Sequence, residues 1–161
     1  MKLLKQSRNG WQYGLDQREG VLLRMLIEEF PSSTATPSKI SKTGTDSKSA
    51  ERERLLNESL TDHRRELKRL GAKLLATRIE STTDGWRLSL RAHDREVLLQ
   101  LLNDIRIENW HALGEPENLD SPPSNLSEAQ LQHHHLMHLA GYFEWEMLES
   151  TAESREAEPG G

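Results

Sequence analysis

The sequence predicts a mainly α protein, a helical bundle of four to five helices carrying a small antiparallel sheet of two or three strands. Three observations predict it. Residues 51–78 hold leucines at helical spacing, residues 94–114 form a capped stretch with one apolar face, and period-two alternation is confined to the short segments 11–15 and 86–90. Apolar residues recurring every three to four positions mark a helix face, whereas strict alternation marks a strand. The 161 residues fit a single domain over 1–150, with a flexible linker at 31–48 and a disordered acidic tail at 151–161.

The elements follow in order. Trp11, Tyr13 and Leu15 alternate as a short strand. Asp16 and Glu19 form a capping box, in which each side chain satisfies an otherwise orphan backbone N–H. The helix it starts groups Leu22, Leu23, Leu26, Ile27 and Phe30 on one side, and Pro31 stops it. Small polar residues with two prolines and a glycine then give no periodic face, hence the linker, in which Ile40 is the single large apolar residue.

Over residues 51–78, Leu56, Leu60, His63, Leu67, Leu70 and Leu74 step by 4, 3, 4, 3, 4. That is a narrow seam, too short for a sustained coiled coil and suited to packing inside a bundle, with a histidine packed among leucines. Ser59 and Thr61 are candidate break points. Residues 79–90 read as a hairpin with Asp84-Gly85 at its turn, pairing with the 11–15 strand because a lone hairpin is marginal in water.

The next helix is capped by Asp94 and closed by Gly114 and Pro116, with Leu98, Leu101, Leu102, Ile105 and Ala112 on its apolar face. Ser127 and Gln130 make a second capping box for a last helix running to about residue 150.

Net charge is −5, unevenly spread. Residues 1–95 carry 19 Lys+Arg and 13 Asp+Glu, a balance of +6, and residues 96–161 carry 2 and 13, a balance of −11. Complementary halves account for this, as does a partner surface. The absence of cysteine excludes disulfides, thiolate catalysis and cysteine zinc sites. The start, MKLLKQSRNGW, has too short an apolar run for a signal peptide, and no stretch is apolar enough to span a bilayer, so the expected compartment is the cytoplasm with no membrane partner.

Candidate chemistry is sparse. Glu108 and His111 match a Glu-x-x-His element, but di-metal bundles need a second one, which the chain lacks. His134 and His138 stand one turn apart and suit a transition metal, with no further ligand named. No nucleophile elbow, phosphate loop or dinucleotide fingerprint is present, and no cofactor is expected. Asn103, Asp104 and Arg106 read as a structural polar group bonded to a neighbouring loop and an acid, so that Asp104→Ala lowers stability. The last helix is apolar on almost every side. Leu136, Leu139, Tyr142, Phe143, Trp145 and Met147 are candidate interface residues for a protein partner or a homodimer.

The leading expectation is a non-enzymatic regulatory or adaptor protein acting through protein contacts. The alternative is a winged-helix-like DNA-binding regulator, with Arg64, Arg65, Lys68, Arg69 and Lys73 on the phosphates. A metal-binding helical protein comes third.

At Leu102-Asn103-Asp104-Ile105-Arg106 the chain resembles an uncharacterised bacterial family catalogued as domain of unknown function number two thousand and seventeen. Its members are short, mainly helical and well represented in actinobacteria. The resemblance implies a strand before the motif helix, at 86–90, a long charged helix before that, at 53–78, and a closing aromatic-rich helix, at 142–150. The triple histidine and Trp110-His111 depart from the pattern. Genes of the family often lie near that of the Clp-protease adaptor, which implies a regulatory or proteolysis-linked setting.

Overall fold

The computed structural model describes residues 1–31, 47–118 and 124–156. The expected linker lies outside the described residues apart from Pro31, Ser47 and Lys48, as do residues 157–161 of the expected tail. The element order is β1 (Lys2–Ser7), β2 (Gly10–Leu15), α1 (Gln17–Glu29), α2 (Ser47–Thr77), β3 (Ile79–Thr82), β4 (Gly85–Leu90), α3 (Ala92–Ala112) and α4 (Glu128–Glu156). The fold is mainly α, with four helices among the described residues.

The sheet has four antiparallel strands in the order β1-β2-β4-β3, one more than the sequence predicts. The added strand is β1, an edge strand with a bulge between Leu3 and Lys5 and a two-residue turn before Gly10. The predicted docking of hairpin on strand holds, with Trp11 opposite Leu90 and Leu15 opposite Trp86. The hairpin turn is Thr83-Asp84, not Asp84-Gly85, because Gly85 already pairs with Thr82. Tyr13, Leu15, Leu88 and Leu90 turn one face of the sheet into the core.

Helix α1 begins as predicted. The Asp16 carboxylate accepts from the Glu19 amide at 2.8 Å, and the Glu19 carboxylate from the Asp16 amide at 2.9 Å. Gly20 lets this helix lie directly on Trp86, since a Cβ there would sit 2.0 Å from the indole. The indole also stacks under the Arg24 guanidinium, 5.4 Å from the ring centroid.

Helix α2 is one unbroken helix. Thr61 causes no break because its hydroxyl donates back to the Asn57 carbonyl at 2.8 Å within the helix. Its seam is covered only in part. Leu67 and Leu74 are buried against α1 and α3, whereas Leu56, Leu60 and His63 are exposed, a correction to the fully packed seam and to the packed histidine.

Helix α3 is the centre of the bundle, burying Val97, Leu98, Leu101, Leu102 and Ile105. Its N-cap is Arg91 rather than Asp94. Asp94 lies one turn inside, where its carboxylate accepts from the Arg91 amide at 3.1 Å and pairs with Arg78 at 2.7 Å. Ala112 is exposed, because the helix ends there and Gly114 turns the chain at φ +83°.

Helix α4 starts at the predicted capping box. The Ser127 amide donates to the Gln130 side chain at 2.9 Å, and the Gln130 amide to the Ser127 hydroxyl at 3.3 Å. It continues to Glu156, past the expected start of the tail, as no glycine or proline intervenes before residue 159. Among the described residues no helix is long and apolar enough to cross a membrane.

Candidate functional site

The Asn-Asp-x-Arg group straddles the outward side of α3 and ties it to two other helices. Asp104 faces α2, where its carboxylate lies 3.5 Å from His63 Nε2. Arg106 faces α4 and pairs with Glu144 at 2.6 Å, the acid partner expected of it. Asn103 lies between them in a groove of about 400 Å³, beside Ile107, Trp110 and His138. The partner of Asp104 is thus a helix and not a loop. Burial raises the pKa of Asp104, against the opposing pull of His63 and Arg64.

That balance gives a testable sign. A carboxyl whose pKa is raised by folding favours the folded state below its unfolded value, and this contribution is lost as pH rises through the folded value. Asp104→Asn is therefore expected to raise stability at pH 7 by less than about 1 kcal/mol, discounted for a side chain near solvent, with the difference closing towards pH 4. Urea denaturation of both proteins at the two pH values measures it. A loss at pH 7 would mean that the His63 contact outweighs the burial.

The residues proposed for a metal do not converge. Glu108 is buried, lining a cleft of about 420 Å³ among α1, α3 and α4. His111 is exposed and lies 2.7 Å from Glu115. His134 is partly buried and His138 exposed at the rim of the groove that holds Asn103, their Nε2 atoms 3.1 Å apart. Loss of hydration, then His138, then His135, lowers the pKa of His134. The Glu-x-x-His element fails because Glu108 lies on the buried side of α3 and His111 on its exposed end.

The same cleft holds a contact that sequence reasoning misses. Buried Asn109 donates through Nδ2 to the Ile105 carbonyl at 2.7 Å, which leaves Oδ1 to accept from His133 Nδ1 at 2.7 Å. The neutral imidazole then carries its proton on Nδ1. The two residues are 24 positions apart on separate helices, so no local pattern links them.

The candidate interface residues of α4 divide. Phe143 and Met147 are core residues, and Leu136 and Leu139 are partly buried against that core. Tyr142 and Trp145 are exposed. The Tyr142 hydroxyl donates to Glu19 at 2.6 Å, and the Met1 amine contacts both residues. Burial and then the Glu19 carboxylate raise the pKa of Tyr142. Burial also raises that of Glu19, but hydrogen bonds from the Met1 amine, Tyr142 and the Asp16 amide prevail and hold it below the usual range.

The five residues of α2 expected on phosphates, Arg64, Arg65, Lys68, Arg69 and Lys73, form no uniform cationic face. Arg65 pairs with Asp62 at 3.2 Å and Arg69 with Glu66 at 2.6 Å on their own helix, and Arg64 lies by Asp104. Lys68 and Lys73 are exposed. Residues 30–46 separate α1 from α2, where a helix-turn-helix joins its helices by three or four residues.

No family model, curated protein or solved structure matches this chain.

Proposed function

We propose that this is a cytoplasmic regulatory or adaptor protein that works through protein contacts and performs no chemistry of its own. The observation that supports this reading is the first part of α2. Residues 47–66 include no buried position, yet they continue the same apolar seam that closes the core further along. Leu56 and Leu60 are 44% and 43% exposed there. An amphipathic helix that shows its apolar side to water fits a helix-groove or helix-pairing contact with another protein. The likeness around Asn103, Asp104 and Arg106 is compatible with a setting in regulated proteolysis.

The test is a cross-linking pull-down from native lysate with the full chain and with the Leu56→Asp/Leu60→Asp double variant. Both positions are exposed, so the melting curve should stay close to that of the parent, within about 0.5 kcal/mol per site. The parent is expected to retain a specific partner that the variant loses. Recovery of the same proteins with both, or of none, would sink the reading.

A further inference from the structure

Helix α4 has two faces. One buries Met137, Ala140, Phe143 and Met147 in the core. The other carries Leu131, His134, His138, Gly141, Trp145 and Leu148, at steps of 3, 4, 3, 4, 3. That is the spacing of a seam between two helices. Leu131, Trp145 and Leu148 are 42%, 57% and 50% exposed, so the apolar ends of the seam are open, while its middle borders the groove towards α3, where Arg106 lies beside Gly141.

The histidines in it are already gathered. Their Nε2 atoms are 3.1 Å apart and their ring centroids 4.3 Å apart. Two imidazole nitrogens on one tetrahedral zinc, at about 2.05 Å each, stand about 3.3 Å from one another. A small rotation of either ring makes the pair a chelating edge. Two ligands do not make a site, however, and among the described residues no group of three or more His, Cys, Asp or Glu could hold a metal ion. A single chain thus offers half of a tetrahedral set.

We propose that a second copy of this chain supplies the other half. Two α4 helices pair along their outer faces about a two-fold axis, and the four histidines, His134 and His138 from each copy, hold one divalent transition ion of the imidazole-binding kind. A two-fold axis presents the same patch twice, so a half-site on a helix face becomes a complete one. Gly141 adds no side chain of its own between the histidines and Trp145, and the Arg106 side chain runs alongside it from α3. The apolar ends of the seam then bury against one another while the metal fixes the middle. This assignment concerns a surface separate from Leu56 and Leu60, so it stands or falls independently of the adaptor reading.

Zinc chloride is the probe, titrated into untagged full-length chain that has been stripped with EDTA and has never met nickel resin. Calorimetry is expected to saturate at about one zinc per two chains, light scattering to show the mass doubling with zinc, and EDTA to restore the single chain. His134→Ala and His138→Ala should each weaken zinc binding by on the order of a hundredfold, since even supporting groups around a ligand are worth tenfold or more. His135→Ala, off the seam, should leave binding and mass unchanged. Trp145→Glu should shift the dimer to higher protein concentration with an unaltered melting curve in EDTA. Zinc bound at one per chain with no change of mass overturns the proposal. So does a His135→Ala variant as impaired as His138→Ala, or the absence of binding up to roughly 100 μM zinc.

Discussion

Phe143→Ala is expected to lower the stability of the chain by about 3–5 kcal/mol, with the loss visible in chemical denaturation of metal-free protein. The sequence offers Phe143 as an interface residue, and in that role its truncation would leave folding of the single chain untouched. The structure places it at 1% exposure, among residues drawn from the sheet and all four helices. Removing the ring deletes buried apolar area and leaves a cavity that the surrounding helices cannot fully close, since interiors are packed at crystal-like density. A domain of ordinary stability, about 5–15 kcal/mol, would lose a large share of it. Trp145→Ala, two residues along and 57% exposed, should cost no more than about 0.5 kcal/mol in the same assay. Equal effects at the two positions would mean that α4 is turned differently on the bundle.

The contrast between Phe143 and Trp145 also shows what periodicity conveys here. A helix that is apolar on one side reveals its inner face, and α1 does so at Leu23, Leu26, Ile27 and Phe30. Helix α4 is apolar on most sides, so spacing alone cannot choose between the row through Phe143 and the row through Trp145. Helix α2 poses the opposite difficulty. Its seam is clear, but spacing names a face without stating how much of it finds cover, and on the N-terminal side of Leu67 cover stops. Helix starts are legible at Asp16 and Ser127 because a cap involves residues only three apart. The start of α3 lies three residues before the position its sequence suggests, because Asp94 serves the cap from inside the first turn. Strand β1 escapes a reading by alternation because Leu3 and Leu4 are adjacent and a bulge there breaks the pattern.

For the candidate site, the sequence singles out Asn103, Asp104 and Arg106 and expects an acid as the partner of Arg106, a place Glu144 takes. It cannot say that Asp104 and Arg106 reach in different directions. On a helix, residues two apart diverge by roughly 160° given 3.6 residues per turn, which is what sends one to α2 and the other to α4. The Asn109–His133 contact and the division of Glu108 from His111 depend on how α3 and α4 are rotated against each other. That rotation is set by the whole core and by no single motif.

Gly85→Ala is the second large effect, expected to cost on the order of 2–4 kcal/mol from combined backbone strain and steric overlap. Gly85 has φ +153°, a conformation that L side chains rarely adopt, and a Cβ on it would lie 2.2 Å from the Leu15 carbonyl oxygen. Gly10 mirrors it at the other end of the same β2–β4 ladder, with φ +143° and a Cβ position 2.1 Å from the Leu90 carbonyl oxygen. Both obstacles are backbone atoms, so no side chain can rotate away to relieve them. The strands would have to part at the ladder's end, where Leu15 pairs with Trp86 and where α1 begins. The turn itself is formed by Thr83 and Asp84, so the requirement for glycine arises from the close approach of two strands and not from hairpin chemistry. Gly114→Ala separates the two contributions. Gly114 has φ +83°, but a Cβ added there would meet nothing within 4 Å, so only backbone strain applies, at about 1 kcal/mol. Thermal melts of the three glycine variants, followed by tryptophan fluorescence that includes Trp86, should rank Gly85→Ala and Gly10→Ala well below Gly114→Ala. If all three lose the same small amount, the ladder's ends can open at little cost, and the sheet is held mainly by the helices packed on it.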